Sequence, residues 1–379
     1  MTHPTLEALK AEGIERKLVK STLVGNRIII DGKSYFNLSS NDYLGISTRM
    51  DWQKEFFEKI DTSQFLMGCT SSRLLTGNSS AKVLLEEFIG KQYHKSCLVF
   101  NSGYHTNVGI LPAITTKRDL VIADKLVHAS IIDGLKLSDC QWTRFRHNDY
   151  AHLAALLEKN SKQYDTIYVV TESIFSMDGD YCDLPQLVAL KKQYDFKLYL
   201  DEAHAIGVEG EHGLGYAEAL GLNLDIDILV GTFSKALASE GGFVVTDEDT
   251  KQLLINKSRS FIFTTASSPI SALWSLFVFQ KTVNMQQERQ HLKEITKLFC
   301  SLLGDRPTTG QSQIIPLLFE ENKRCTAFSN QLREAGLWVS PIRYPSVPIH
   351  QPRIRLSLTA AISSSEIKQI YETILAQER

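Results

Sequence analysis

The strongest constraint on the fold is an alternation that runs from about residue 95 to residue 246. Short β-rich apolar runs recur there: "SCLVF", "LVIA", "TIYVVTE", "FKLYLD", "IDILVGT" and "GGFVVT". Between most of them lie segments with helical periodicity, such as "YAHLAALLEKN" and "LPQLVALKKQY". Strands that alternate with helices build βαβ units and a mostly parallel sheet. Such strands are covered on both faces, which accounts for their unbroken hydrophobicity. The pattern predicts an α/β fold, its sheet flanked by helices, with ligands bound beyond the carboxyl ends of the strands.

The flanking regions read differently. Residues 4–18 have the spacing of a short amphipathic helix. "RIIIDGKSYFNL" reads as a hairpin closed by Asp31-Gly32, a favoured two-residue turn. A long helical stretch covers about 269–303. Beyond it, "QSQIIPLLFE", a helix near 323–335, "LWVSPIRY", "RIRLSLTA" and a last helix at 363–377 predict a smaller α+β domain. The expected division is an N-terminal helix and hairpin at 1–45, a large domain at 46–285 and the small domain at 286–379. A chain of 379 residues accommodates it. Neither an internal repeat nor a low-complexity linker interrupts it.

Composition narrows the partners. A net charge of -2 without a basic block offers no sequence-independent grip on a phosphate backbone. The cysteines, at 69, 97, 140, 182, 300 and 325, form no CxxC pair and no zinc-finger spacing. Reduced thiols and no metal site are therefore expected. The N-terminus has no apolar signal core, and no apolar run reaches the length of a membrane span. The expectation is a soluble cytoplasmic protein that binds neither membrane nor nucleic acid.

The turns after the apolar runs are where chemistry belongs. They read "NSGYHTN", "DKLVHAS", "ESIFSMDGD", "DEAH" and "TFSKAL". "DEAH", Asp201 to His204, is also the magnesium-binding signature of one class of ATP-driven helicases. Such a motor needs a G-x-x-x-x-G-K-[ST] cradle between a strand and a helix. Gly32-Lys33-Ser34 lies in the predicted hairpin, and its preceding glycine, Gly25, is too far upstream. Gly90-Lys91 is followed by Gln92, which lacks the hydroxyl that would hold magnesium. The motor reading fails for want of a cradle.

Lys235 suits a different chemistry. It follows a buried strand in a short polar turn, where a partly desolvated amine can form a Schiff base with an aldehyde. Taken alone it would be a solvated surface lysine, but its company favours pyridoxal phosphate. That cofactor needs a lysine, a carboxylate for its ring nitrogen, something flat over the ring and donors for its phosphate. Asp201 at a strand end fits the carboxylate, or else a helix N-cap. His204 could reach the ring oxygen or support it from behind. Gly103 and Tyr104 open a helix whose amides and dipole suit an anion. His128 could lie on the ring or pack as a structural histidine. Glu202 and Ala203 read as spacers. Gly207, Gly210, Gly213 and Gly215 would let an irregular loop fold beneath the crevice.

These residues sit in segments that together resemble the α-oxoamine synthases: "FNLSSNDYLGIS", "SSRLLTGN", "NSGYHTNVG", "ADKLVHASIIDGLKLS", "FRHND", "VVTESIFSMDGD", "LDEAHAIGVEGEHGLG", "TFSKALASEGGFVV", "FIFTTASSP" and "RIRLSLTA". Each is short; their order and spacing nearly end to end are specific. The resemblance implies a fold-type I pyridoxal-phosphate transferase with a seven-stranded sheet. It implies a decarboxylative condensation of an amino acid, L-alanine by preference, with an acyl thioester on coenzyme A or a carrier protein. Lys235 would hold the cofactor and move the α-proton, Asp201 would pair with the ring nitrogen, and His128 would stack on the ring. His204 and Ser176 would lie near the ring oxygen, and Thr232 beside the phosphate and the lysine. Gly103 and Tyr104 would hold the phosphate. A hydroxyl from the second subunit of a homodimer, Thr264 or Thr265, would complete that site. Asn41 and Arg355 would bind the amino-acid carboxylate, and Arg16 and Ser346 match acyl-substrate positions.

Three positions depart from the family pattern. Lys82 stands where a histidine is frequent, Ala238 where a glycine is frequent, and Ser346 where a threonine is common. Within the family, "TFSKAL" and "FTTASSP" lean toward the biotin-pathway branch, which uses a pimeloyl thioester. Glycine C-acetyltransferase and a sibling acting on a longer acyl-CoA are the alternatives. A non-catalytic scaffold subunit is the alternative of another class, disfavoured because Lys235, Asp201 and His204 are all present.

Overall fold

The computed structural model describes residues 4–11, 15–61, 66–304, 306–344, 346–348 and 350–378. Its centre is a seven-stranded sheet made of β1 (Ser96–Phe100), β2 (Leu120–Asp124), β3 (Gln141–Phe145), β4 (Ile167–Glu172), β5 (Lys197–Asp201), β6 (Ile228–Thr232) and β7 (Gly242–Thr246). The spatial order is β1-β7-β6-β5-β4-β2-β3. From β6 to β3 every neighbouring pair is parallel, whereas β7 runs antiparallel to both β1 and β6. The chain explains the exception. Only residues 233–241 separate β6 from β7, and a parallel crossover needs a dozen or more residues, usually a helix.

The sheet separates two cores. Cys97, Val99, Leu120, Ile122, Leu198 and Leu200 pack on one face. Leu98, Phe100, Val121, Ala123, Val170 and Tyr199 pack on the other. Neighbouring strand residues point to opposite faces, so a strand covered on both sides has to be apolar throughout. All five residues of β2 are buried for this reason. Truncating Ile122 to Ala would cost about 2–5 kcal/mol. β3 is the strand that apolar runs do not reveal. It lies at the sheet edge with Gln141, Trp142 and Arg144 exposed, so it needs no continuous hydrophobic stretch.

Side-chain caps start the crossover helices. Ser102, Asp149, Asp183 and Asp247 each accept an amide hydrogen bond from the first turn of the helix they precede, a pairing worth about 1 kcal/mol. The predicted long helical stretch is two helices, Pro269–Thr282 and Gln286–Leu303. Among the described residues the N-terminal helix covers Pro4–Ala11, and residues 15–18 carry no regular structure. Residues 12–14 of the predicted helix lie outside the described residues, and Leu18 is fully exposed, so its side chain joins no buried apolar face.

The hairpin at Arg27–Ile30 and Lys33–Asn37 forms as predicted, with Asp31 and Gly32 both at positive φ. The C-terminal strand Leu337–Trp338 extends it in parallel. A three-stranded antiparallel sheet places Arg353–Ser357 between Ile314–Leu318 and Pro341–Ile342. Helices Asn322–Glu334 and Ser364–Glu378 complete the smaller α+β part. Arg353 ties it to the large sheet's loops through Asp178, at 2.5 Å. Gln313 donates to the His204 carbonyl at 2.9 Å.

Candidate active site

The carboxyl ends of β4, β5 and β6 and the amino end of helix Gly103–Ile114 surround a cavity of about 260 Å³. Lys235 reaches it from the β6–β7 loop, and its Nζ lies 2.8 Å from His204 Nε2. Burial holds the Lys235 amine down at about 8 against the pull of Asp201 and Glu172. Burial, reinforced by the nearby Lys235 and Arg355 cations, pushes His204 well below the usual imidazole range. His204 is therefore neutral at pH 7, with Nε2 free to accept from the lysine.

Asp201 closes β5. One carboxylate oxygen accepts from the Ala203 amide at 2.9 Å, and the other accepts from Asn107 Nδ2 at 2.8 Å. Asn107 also takes the Tyr199 hydroxyl at 2.6 Å. The carboxylate is thus fixed by two donors and faces the cavity. His128 caps helix Ala129–Leu137. Its Nδ1 lies 2.7 Å from Ser130 Oγ, and burial lowers its pKa. At the other end, Gly103 and Tyr104 start their helix beside Thr232, whose hydroxyl donates to the Gly241 carbonyl at 2.8 Å. Gly242 is required here: a Cβ would fall 2.7 Å from the Gly103 nitrogen.

Of the residues singled out from sequence, Gly103, Tyr104, His128, Asp201, His204, Thr232 and Lys235 line this one cavity. Arg355 adjoins it: its Nε donates to the Ser176 carbonyl and its Nη2 to Tyr43 Oη at 3.1 Å. Asn41 meets the same Tyr43 hydroxyl at 3.0 Å. Ser176 contributes its carbonyl and is not part of the cavity lining. Thr264 and Thr265 lie outside, held by Asn101 at 3.1 and 2.7 Å. Arg16 and Ser346 come within 3.3 Å of each other in a separate groove of about 480 Å³.

Sequence reasoning missed several residues. Tyr43, Asn107, Ser130 and Glu172 were within quoted segments but not singled out. Glu172 lines the cavity, and burial next to Asp201 raises its carboxyl well above the usual range. Glu202 is no spacer. Its buried carboxylate accepts from the Tyr216 and Ala217 amides at 3.0 and 2.8 Å and so anchors the following loop. Gly215, at φ +116°, leaves room for it, since a Cβ would approach the Glu202 carboxyl to 2.9 Å. Lys82 is buried, donating to the Ser267 carbonyl at 2.6 Å. Ala238 adopts φ +43°, a backbone that glycine reaches more easily.

The family profile described as aminotransferase class I and II matches residues 33–374. A Haemophilus influenzae protein provisionally named 8-amino-7-oxononanoate synthase is 45% identical over 96% of this chain and 97% of its own length. A lysine-to-alanine variant of serine palmitoyltransferase from S. paucimobilis, solved with a pyridoxal phosphate–myriocin aldimine bound, superposes with a TM-score of 0.90 at 27% identity, covering 99% of this chain and 96% of its own. An 8-amino-7-oxononanoate synthase from Francisella tularensis gives a TM-score of 0.75 at 27% identity over 91% and 98%. The chain belongs to the aminotransferase class I and II family. Within it, the relatives place it among the α-oxoamine synthases, acyltransferases that depend on pyridoxal phosphate.

The cavity's donor set suits that cofactor. It offers an amine of lowered basicity, a doubly anchored carboxylate, two imidazoles, and a helix N-terminus flanked by the Thr232 and Ser234 hydroxyls. Among the described residues, no helix is long and apolar enough to cross a membrane.

Proposed function

We propose that this protein is an 8-amino-7-oxononanoate synthase of biotin biosynthesis. It would join L-alanine to a pimeloyl thioester, releasing carbon dioxide and coenzyme A or a carrier protein. The observation that carries the reading is the Lys235–His204 contact in a cavity that also presents Asp201, with Arg355 alongside. The identity to the Haemophilus influenzae relative supports the substrate pair.

Bound pyridoxal phosphate supplies the conjugated electron sink that makes a proton beside an amine removable. The chain's own groups do the rest. Lys235 holds the cofactor and moves the proton at alanine Cα, and Asp201 keeps the ring nitrogen protonated. His128 covers the ring and helps position the acyl carbonyl. His204 would face the ring oxygen, with Ser176 on the same side but behind Arg355, to which it gives its carbonyl, and Gly103, Tyr104 and Thr232 would bind the phosphate. Arg355 and Asn41 hold the alanine carboxylate, the planar guanidinium matching its two oxygens. Arg16 and Ser346 meet the acyl chain.

The working form is a homodimer, in which Thr264 or Thr265 of one copy completes the phosphate site of the other. In support, Leu66, Met67, Leu75 and Phe263 are each about 70% exposed or more. Their segments are joined by the Ala266 amide donating to the Ser71 carbonyl. Exposed apolar groups clustered in this way mark an interface. The expected location is the cytoplasm.

A second reading, condensation of serine with a longer acyl-CoA, is favoured by the TM-score of 0.90 to serine palmitoyltransferase. A panel crossing alanine, glycine and serine with pimeloyl, acetyl and palmitoyl thioesters separates the readings. Coenzyme A and carbon dioxide release is expected with alanine and the pimeloyl thioester. Turnover with glycine or serine but not alanine would overturn the proposal.

A further inference from the structure

Tyr43 is fully buried and belongs to no catalytic role given above. Three groups lie within hydrogen-bond distance of its hydroxyl: His204 Nδ1 at 2.6 Å, Asn41 Oδ1 at 3.0 Å and Arg355 Nη2 at 3.1 Å; Gln313 also approaches it, its amide bonded to the His204 carbonyl at 2.9 Å. Asn41 and Arg355 are the proposed carboxylate binders, and His204 touches Lys235 through its other nitrogen.

The protons can be accounted for. A charged Lys235 donates to His204 Nε2, which places the ring hydrogen on Nδ1. That hydrogen goes to the Tyr43 oxygen, which also accepts from Arg355 and gives its own hydrogen to Asn41. The oxygen is then fully used, with two bonds accepted and one donated. If Lys235 is neutral and accepts from His204 Nε2–H, Nδ1 becomes the acceptor. The Tyr43 hydrogen must then swing from Asn41 to His204. A charged Lys235 can only donate and so allows the first arrangement alone, whereas a neutral one opens the second; the charge on Lys235 thereby limits the direction of the Tyr43 O–H bond.

We infer that Tyr43 is a positioning residue that couples occupancy of the Arg355–Asn41 carboxylate site to the protonation of the Lys235 nitrogen, with His204 as the link. The inference rests on the carboxylate role proposed for Arg355. An arriving carboxylate takes donors from Arg355 that now face Tyr43 and Ser176, and it neutralises a cation near the lysine. Both changes strengthen the protonated state. The other groups facing the Lys235–His204 pair are His128, Asp201 and Glu172, and none of them contacts Tyr43.

The test is a pH titration of the rate at which cofactor-free protein, whose Lys235 amine is free to contact His204, captures pyridoxal phosphate, with and without saturating propanoate. Propanoate has the carboxylate of alanine but no amine to react. In the natural protein the midpoint is expected to rise by about one pH unit, the scale of a nearby charge effect. In Tyr43→Phe the rise should fall to a third of that or less. KM for alanine should increase roughly tenfold, as for one lost hydrogen bond to a charged group, with kcat changing less. An equal rise in both proteins, or no rise in the natural one, overturns the inference. If Tyr43→Phe does not fold, 3-fluorotyrosine at position 43 keeps every contact while making the hydroxyl a stronger donor. It should move the midpoint even without propanoate, and an unmoved midpoint counts against the link. Failure of the underlying functional reading is distinct. It appears as natural protein that forms no visible band or releases no coenzyme A with alanine.

Discussion

Two histidines, both held between partners, end in opposite charge states. His204 lies between Lys235 and Tyr43, with cations on several sides, and is neutral. His147 lies between Asp124 and Asp180, at 2.9 and 2.8 Å, beyond the end of β3. Burial opposes its charge too, but the two aspartates outweigh it and lift the imidazole to about 10. The crevice keeps its histidine uncharged so that a proton can move. The clamp keeps its histidine charged so that β2, β3 and the Asp178–Asp180 loop stay together. Depth and neighbours both set the difference: burial is the larger cause at His204, whereas at the less buried His147 the two aspartates overturn it.

Lys235→Ala strikes the crevice alone. It should give folded protein with no visible band on adding cofactor and condensation lowered by about a thousandfold or more, since general-base catalysis alone contributes roughly 10²–10⁴. Normal turnover by that variant, followed as coenzyme A release, would sink the assignment. In unmodified cofactor-free protein, the rate of cofactor capture should climb with pH and level off near 8 rather than above 10, because only the neutral amine attacks and burial lowers Lys235 to about 8.

His147→Asn strikes the clamp alone. It leaves two aspartates facing each other and should lower unfolding stability by about 2 kcal/mol, discounted for partial exposure. The sign with pH is specific. The folded state raises His147 above its unfolded value, so its contribution is complete below about pH 6.5 and fades as pH rises through about 10. Urea midpoints should show that decline in the natural protein and a flatter curve in His147→Asn. Equal curves would mean that His147 is uncharged.

The smallest contrast concerns backbone. Each region has a non-glycine residue at positive φ: Asn148 beside the clamp and Ala238 beside Lys235. Asn148 tolerates the conformation and bonds Asp180 and the Tyr181 carbonyl at 3.0 and 3.1 Å. Ala238 has no polar side chain to add such bonds; its backbone carbonyl accepts from Trp274 Nε1 at 3.2 Å. Ala238→Gly should raise stability by about 0.5–1 kcal/mol, read as a higher urea midpoint. A lower midpoint would mean that the methyl packs more than it strains.

Much of this was readable from the chain. The buried strands declare themselves because both faces are covered, and Lys235, Asp201 and His204 declare themselves by standing just after them. β3 did not, because an edge strand need not be apolar. The antiparallel sense of β7 follows from the brevity of residues 233–241, a clue present in the sequence. Tyr43 and Glu202 were hidden for another reason. Tyr43 meets His204, 161 positions along the chain, and Glu202 accepts from backbone amides 14 and 15 positions on; local pattern carries no trace of either.

The return of β7 against β6 has a mechanical consequence. Phe233 and Gly241 are already paired to each other, with the Phe233 amide donating to the Gly241 carbonyl at 3.0 Å. The lysine therefore rides on a link whose two ends are clamped in one sheet. Loops that join a strand to a helix can lengthen by bulging outward. This one cannot, because any residue added or removed between the clamps would swing the amine along or across the crevice while the strands stayed in place. The hydrogen-bond register of the sheet acts as the ruler that sets where the reactive nitrogen stands, so the length of this loop should be among the least variable distances in any chain built on the same plan.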